Sequence, residues 1–500
     1  MSKKIVIIGG GLGGLFAGAI LAKEGFDVTI LEKDATAGGG LQTFRRFGMS
    51  FDTGMHVIGG MQTNGNIRRL CDYLGITSSI QMRDVDDDCA DELFYIEDKT
   101  LYKIGKGKEG FVNHLTSYFP ESKDELIDYV SAIYNISGSI DLFNLRPSDG
   151  ILKPLLSDAV LPADAFVKKY ITNVKLRSVL AYMNPLYGGE AGKTPAYVHA
   201  IISTLYINGA CRFVDGSSKM ADTLVSLIQK EGGSVHLCDG VKKIYVDNQY
   251  VNKVVTEKGG EYNADYYISD VHPCTLFKMI EGKAFTRAYL NRVESIPDSY
   301  SAFSLYIKMK PKSFPYINHS VYITTNYSDI WKCGKIDGVW PKGILFMTPP
   351  VSNQGVYSDK VLITAPMNFD MAKAWENTRT GHRGADYERW KSAKAEQVLN
   401  MVEDRFSGFK DKMEALNTSS PLTIRDFYGT PHGSICGFSK DCNNMLQSNM
   451  QVVTKVKNLL LTGQNINLHG FCGVPLTAIQ TCEAILGRNY LINKINGQCD

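Results

Sequence analysis

The residues best suited to chemistry lie near the amino terminus, where glycines follow directly on an apolar run. Ile5–Ile8 is a continuous β-branched stretch, typical of a strand buried in a parallel sheet, and Gly9–Gly14 comes immediately after it. The glycines keep a G-x-G-x-x-G spacing, in which Gly9 allows a tight turn and Gly11 lets the backbone approach a pyrophosphate. Gly14 lets the next helix pack closely against the strand. The segment therefore predicts a dinucleotide site.

An acidic residue completes this unit. The pattern predicts a helix over residues 13–23, a turn at Gly25 and a strand from Asp27 to Glu32. A carboxylate about 20 positions beyond the glycines accepts hydrogen bonds from ribose hydroxyls and disfavours a 2′-phosphate. FAD or NAD therefore fits this site, and NADP does not. A second G-x-G-x-x-G match at Gly105–Gly110 lacks this context, and we interpret it as a charged turn.

Composition and charge exclude other classes of protein. The chain has 500 residues, which suggests two or more domains, and its 54 basic and 52 acidic residues give no reason to expect a nucleic-acid partner. The 11 cysteines are odd in number and show no metal-ligand spacing, which argues against a disulfide framework and against a metal site. A cytoplasmic location fits this cysteine usage best. The sequence does not indicate an oligomeric state.

The apolar stretches are too short to cross a membrane. None reaches the roughly 20 uninterrupted residues that a transmembrane helix needs. Ile151–Val167 is apolar with few charges, and two interpretations stay open for it. It is either a buried lid helix or a site of peripheral membrane contact.

A second glycine cluster makes a family resemblance specific. Gly38-Gly39-Gly40 comes six residues beyond Glu32, and Phe51-Asp52-Thr53-Gly54 follows a short basic stretch. This pattern resembles the flavin amine oxidase and phytoene desaturase superfamily, in which the double-glycine loop lies along FAD. Most members continue the double glycine with arginine, whereas this chain has Gly40. We look to Arg45 or Arg46 for a substitute contact to phosphate or substrate, although both could equally be solvated surface.

The carboxyl terminus resembles the same superfamily. Residues 458–464 predict a strand ending in glycine, and Gly470 and Gly473-Val474-Pro475 precede a predicted helix over Leu476–Leu486. Pro475 suits the first turn of a helix, where its missing N–H costs nothing. In the family this helix end points at the flavin ring, where its partial positive charge stabilises negative charge on the reduced flavin.

The resemblance also implies how the chain divides. The fold class is α/β, with a Rossmann-type FAD-binding domain assembled from residues 1–80, 210–295 and 450–500. An α+β substrate-binding or lid domain is expected over residues 81–209 and 296–449. Ser420–Thr423 and Gly433–Gly437 resemble a segment of desaturases, carotenoid isomerases and retinol saturases, but Ser217 stands where many relatives have a second glycine.

The same resemblance implies site residues and an activity. The expected reaction is FAD-dependent redox chemistry or isomerisation at a carbon–carbon double bond of a hydrophobic polyene or isoprenoid, with NAD(P)H as a possible external reductant. His56 and His469 are candidate catalytic residues, or they are merely packed. The residues implied to bind FAD are Gly9, Gly11, Gly13, Gly14, Glu32, Lys33, Gly38, Gly39, Gly40, Gly54, Met55, His56, Val241, Gly463, Gln464, Gly473, Val474 and Pro475.

Two other functions share this frame. A flavin amine oxidase is one, and such enzymes often carry a covalent flavin on a cysteine near the C-terminal glycine motif, where this chain has Cys472. A non-catalytic lipid-binding protein, similar to the prenyl-protein escorts, is the other. The intact glycines of the amino-terminal motif argue against the escort.

Overall fold

The fold is taken from a computed structural model that describes residues 2–149 and 156–497. The strands are β1 Lys4–Ile8, β2 Asp27–Leu31, β3 Thr43–Arg46, β4 Met49–Asp52, β5 Ile58–Gly59, β6 Met82–Asp84, β7 Asp91–Tyr95, β8 Thr100–Ile104, β9 Ala210–Phe213, β10 Ser234–His236, β11 Val241–Asp247, β12 Tyr250–Thr256, β13 Glu261–Tyr262, β14 Tyr266–Ser269, β15 Ile280–Glu281, β16 Ser301–Met309, β17 Ser320–Thr324, β18 Gly343–Met347, β19 Lys360–Met367, β20 Met413–Ser419 and β21 Leu459–Leu461. The helices are α1 Leu12–Lys23, α2 Asn66–Leu74, α3 Gly107–Tyr118, α4 Lys123–Gly138, α5 Ala163–Tyr170, α6 Val174–Leu180, α7 Ala196–Ile207, α8 Ser218–Lys230, α9 Pro273–Met279, α10 Arg287–Glu294, α11 Ala385–Arg405, α12 Pro421–Tyr428, α13 Met445–Ser448, α14 Gly470–Leu486 and α15 Tyr490–Ile495.

A parallel sheet forms the first layer, with strand order β10-β2-β1-β14-β21. Its strands come from three separated parts of the chain, and every neighbouring pair is parallel. The central strand β1 is buried from Ile5 to Ile8, as expected for a strand covered on both faces. The predicted fold class, α/β with a Rossmann-type unit, is confirmed.

Helix α1 lies against this sheet between α8 and α14. Every residue from Leu12 to Ala22 is buried, so the helix is covered on all sides rather than along one face. Gly18 allows this packing, because a Cβ there would lie 2.9 Å from the Ile30 side chain and 3.2 Å from that of Ile228. The helix therefore forms the centre of the dinucleotide-binding core.

A second, mostly antiparallel sheet has the strand order β20-β16-β19-β18-β17-β7-β8. Helix α11 packs against it and buries Val398 and Val402 among apolar strand residues. Helices α3 to α7 form a separate apolar core against its β7–β8 edge. This α+β region faces the parallel sheet across a cavity.

One segment of this region differs from the sequence-based expectation, and another lies partly outside the described residues. Gly105–Gly110 is not a charged turn. Gly105 follows β8, and α3 begins at Gly107, whose φ of +77° favours glycine at this junction. Of the apolar stretch Ile151–Val167, residues 151–155 lie outside the described residues. Beyond them Phe166 and Val167 are buried, whereas Leu156 is 45% exposed.

Within residues 2–149 and 156–497, no helix combines the length and apolar character needed to cross a membrane.

Candidate functional site

A cavity of about 500 Å³ lies at the carboxyl ends of β1, β2 and β14 and extends to the antiparallel sheet. In open α/β sheets this edge is where ligands bind. One end of the cavity is lined by the glycine motif, and the remainder is lined largely by apolar and aromatic side chains. A polar cradle and an apolar chamber are thus continuous.

The amino-terminal glycines are required by close backbone contacts. Gly9 has φ +98°, and a Cβ on Gly14 would lie 2.2 Å from the Gly9 carbonyl oxygen. A Cβ on Gly11 would lie 2.6 Å from an Asp270 carboxylate oxygen. Gly14 therefore keeps α1 close to the loop, while Gly9 and Gly11 line the cavity with bare backbone that a pyrophosphate can approach.

Glu32 is held at the edge of this cradle, just beyond β2. Its Oε2 accepts a hydrogen bond from the Gly10 amide at 2.7 Å, and its Oε1 accepts one from the Asp34 amide at 2.8 Å. Burial raises the pKa of this carboxyl, and the two amides oppose that rise. Each oxygen can accept a further hydrogen bond, and Glu32 lines the cavity, which suits hydrogen bonds from a ribose.

The double-glycine loop packs directly on the first loop. The Gly38 amide donates to the Gly10 carbonyl at 2.7 Å, and a Cβ on Gly39 would lie 3.2 Å from the Gly11 Cα. Both residues have positive φ, which favours glycine. The two loops therefore form one continuous backbone surface.

Of the two alternatives for Arg45 and Arg46, a substitute contact or solvated surface, the structure favours solvated surface. Both lie on β3 with exposed side chains and do not line the cavity, because this end of the strand points to solvent. The Tyr428 hydroxyl instead fills the space beside Gly40 and Gly54, at 3.5 Å and 2.0 Å from a Cβ built on each. Sequence reasoning missed Tyr428.

The carboxyl-terminal helix begins earlier than predicted. α14 starts at Gly470 with His469 as its cap, so Pro475 is the sixth helical residue rather than a first-turn residue. At this position the proline lacks the N–H that would bond to the Phe471 carbonyl, and its ring crowds the same carbonyl. Gly470, Phe471 and Cys472 line the cavity, so the amide end of this helix and its partial positive charge lie at the cavity.

Two histidines line the cavity, the half-buried His56 and the buried His469, and each has one buried ring nitrogen without a described hydrogen-bond partner. His56 Nδ1 and His469 Nε2 have no hydrogen-bond partner among the described residues. Burial lowers the pKa of each to about 4, so both imidazoles are neutral at physiological pH. Unpartnered buried nitrogens beside a cavity are suited to polar atoms of a ligand.

The apolar chamber carries few polar groups, and two of its tyrosine hydroxyls are hydrogen-bonded to the protein. The Tyr182 hydroxyl donates to Asp91 Oδ2 at 2.8 Å, and the Tyr206 hydroxyl donates to the Val57 carbonyl at 2.9 Å. Burial raises the pKa of Asp91 to about 7. Among the described residues that line the cavity, Lys33 is the only lysine or arginine, and it lies beside the glycine cradle.

The structure brings most of the predicted site residues to this cavity. Those that line it are Gly9, Gly11, Gly13, Glu32, Lys33, Gly39, Gly40, Gly54, Met55, His56, Val241, Gln464, His469 and Val474. Gly14, Gly38, Gly463, Gly473 and Pro475 lie behind the lining. Gly473 is needed for packing, since a Cβ there would lie 2.4 Å from the Leu468 side chain.

Asp270 is a second residue that sequence reasoning missed. It follows β14 directly, and its Oδ2 accepts a hydrogen bond from the Gly14 amide at 2.9 Å. The available signal was an acidic residue immediately after an apolar run, a position that reaches the ligand edge when the strand joins a parallel sheet.

Comparisons with known proteins agree with this geometry. The chain is 25% identical to the all-trans-retinol 13,14-reductase of Rattus norvegicus, over 97% of this chain and 86% of the relative. It is 24% identical to the chloroplastic prolycopene isomerase of Arabidopsis thaliana, over 86% of this chain and 73% of the relative. Putrescine oxidase bound to putrescine has a similar fold, with a TM-score of 0.65, 13% identity and coverage of 98% and 100% of the two chains. The family model for flavin-containing amine oxidoreductases matches residues 12–315, and the chain belongs to that family of flavin enzymes.

Proposed function

We propose that this protein is an FAD-dependent oxidoreductase that acts on a carbon–carbon double bond of a hydrophobic, uncharged polyene or isoprenoid. The observation that carries the proposal is the continuity between the glycine cradle and the apolar chamber. Similarity to retinol reductases and prolycopene isomerases supports the same class of substrate. Saturation, desaturation and isomerisation all belong to this chemistry.

The chain's own residues would position the reactants. When bound, the flavin supplies hydride exchange with a substrate carbon. Glu32 would hold the adenosine ribose, Val241 the adenine, and the amide end of α14 would favour negative charge on the ring. The chamber would exclude water and hold one double bond in place.

The two histidines would handle protons at the substrate. Each neutral imidazole carries one N–H and one basic nitrogen. We therefore assign His56 Nδ1 and His469 Nε2 as the atoms that give or take a proton, because neither has a hydrogen-bond partner in the described part of the chain. Their lowered pKa values keep them uncharged in this role.

The charge of the substrate follows from the lining of the chamber. A carboxylate bound there would be buried without a counter-ion, since Lys33 lies at the cradle end, and such burial costs several kcal/mol. We expect a polyene alcohol to have kcat/KM at least ~100-fold above that of the matching acid, equivalent to about 3 kcal/mol. Equal rates for the two compounds would contradict the uncharged class.

The amine oxidase and escort alternatives are less well supported. Burial raises the pKa of the Cys472 thiol to about 12, and a covalent link to flavin needs a thiolate. We propose a non-covalent flavin. The cradle glycines would have no function in an escort without cofactor.

We also propose the domain division implied by the sequence. Residues 1–80, 210–295 and 450–500 would bind FAD, and residues 81–209 and 296–449 would bind substrate. The parallel sheet draws its strands from the first three ranges, which supports this division.

The decisive experiment adds NADH or NADPH to the anaerobic holoenzyme and follows flavin absorbance, then supplies a panel of polyenes. Mass spectrometry separates a gain of two hydrogens, a loss of two hydrogens and an unchanged mass with altered retention. Amine-dependent oxygen consumption with no polyene turnover would overturn the proposal in favour of an amine oxidase. Failure to bind FAD at all would favour the escort.

A further inference from the structure

The carboxylate of Asp270 occupies an unusual position beside the glycine loop. Strand β14 pairs with β1, so the residue after it reaches the start of α1. A Cβ built on Gly13 would lie 2.6 Å from Asp270 Oδ1, and one on Gly463 would lie 2.3 Å from the same oxygen. The half-buried carboxylate therefore lies between two glycine-containing segments and lines the cavity.

This carboxylate faces the end of a helix that attracts anions. α1 has Gly11 as its cap, makes no side-chain cap hydrogen bond and has no acidic residue in its first turn. Asp270 instead accepts a hydrogen bond from the Gly14 amide, and the amides at this end of a G-x-G-x-x-G helix are where a pyrophosphate binds. A protein carboxylate and the cofactor's diphosphate would thus meet at one helix end.

The charges around Asp270 do not neutralise it. Burial raises its pKa to about 7, and the neighbouring carboxylate Glu32 raises it further, while the Gly13 and Gly14 amides oppose the rise. No described lysine or arginine forms an ion pair with Asp270. From the α9 side, His272 is committed to Asp298 at 3.2 Å, and the first turn of α1 and the Gly463-Gln464 segment bring no charge.

We propose that Asp270 couples flavin binding to the uptake of one proton, so that the neutral carboxyl shares the helix end with the diphosphate. The proton comes from the buffer, and the proposal rests on the flavin site proposed above. In the free protein near neutral pH the carboxyl exchanges between its charged and neutral forms. The diphosphate favours the neutral form, because protonation of the carboxyl removes the repulsion between the two anions.

The test is the pH dependence of FAD affinity, measured on the purified apoprotein by quenching of flavin fluorescence. With a carboxyl that titrates near pH 7, Kd is expected to weaken by about 30-fold between pH 6 and pH 8.5. Asp270→Asn should bind FAD with a pH-independent Kd, about 30-fold tighter than the parent protein at pH 8.5. Asp247→Asn removes the same charge from an exposed position on β11 and should keep the parent pH dependence.

Calorimetry of the unmodified protein provides a second measurement that needs no variant. Binding enthalpies at pH 8 in two buffers with different ionisation enthalpies should show uptake of about one proton. No proton uptake, or an Asp270→Asn protein that keeps the parent pH dependence, would overturn the proposal. Absence of FAD binding at every pH would instead refute the proposed function.

Discussion

Replacement of Gly54 by alanine tests the cradle geometry directly. A Cβ at this position would lie 2.0 Å from the Tyr428 hydroxyl and 3.2 Å from both the Tyr428 ring and the Gly40 carbonyl oxygen. The hydroxyl must move by more than 1 Å, roughly the excess over normal contact, and overpacking of this kind costs about 1–3 kcal/mol. We expect Gly54→Ala to lower the free energy of unfolding by about 2 kcal/mol and to weaken FAD binding.

Removal of the hydroxyl should restore much of this loss. Tyr428→Phe leaves only contacts near 3.2 Å to the new methyl group, but it also removes a hydrogen bond with the Thr53 side chain, at a cost of about 1 kcal/mol. The double variant should therefore be more stable than Gly54→Ala alone, with a coupling energy of about 1–2 kcal/mol.

The assay is urea denaturation of the apoprotein, followed by FAD titration of each variant. Gly138→Ala is the matched control, because Gly138 ends α4 and a Cβ there meets nothing within 4 Å. That change should be neutral or slightly stabilising. A Gly54→Ala protein as stable as its parent, or additive effects of the two changes, would refute the steric argument.

Three further outcomes are expected. Acid precipitation of the holoenzyme should release all flavin into solution, and Cys472→Ser should retain FAD, because the buried thiol is not ionised. A yellow pellet with flavin bound to the protein would contradict the non-covalent attachment. The free energy of unfolding should fall as pH drops from 6.5 toward 4, because the His469 imidazole takes up a proton in the unfolded chain but not in the folded protein. In urea denaturation of His469→Gln, the free energy of unfolding should therefore change less steeply with pH, by about 1.4 kcal/mol per pH unit. Ile202→Trp, which places a bulky aromatic ring in the cavity lining, should reduce polyene turnover at unchanged FAD affinity, whereas Ile202→Leu should retain the turnover of the parent. Equal turnover of the Ile202→Trp variant and the parent would remove α7 from the substrate chamber.

The parts of the site that sequence could predict are those encoded locally. The Gly9–Gly14 loop, Glu32 and the Gly38-Gly39 step depend on spacing within one βαβ unit, and a short segment contains the whole signal. The start of α14 was misjudged because Pro475 is typical of a first turn, whereas here the buried helix continues through it. A proline preference describes the isolated helix and not the packing around it.

The residues that sequence missed depend on contacts between distant segments. Asp270 reaches the glycine loop only because β14 pairs with β1, and Tyr428 reaches Gly54 only because α12 packs beside the double-glycine loop. Neither contact leaves a local pattern. The exposed placement of Arg45 and Arg46 likewise follows from how β3 pairs with β4.

The order of strands in the parallel sheet has a consequence for biosynthesis. Of the strands β1, β14 and β21, β1 is synthesised first, β14 follows more than 250 residues later, and the edge strand β21 comes later still. Pairing across such separations is slow, because the chain loses entropy in closing a long loop before any stabilising contact forms. Until Leu459–Leu461 is available, β14 keeps an unpaired edge that is prone to association with other chains. Because residues 470–472 also line the cavity, we expect the cofactor to bind only after this segment has been synthesised, and chaperones that shield the β14 edge should raise the yield of holoenzyme.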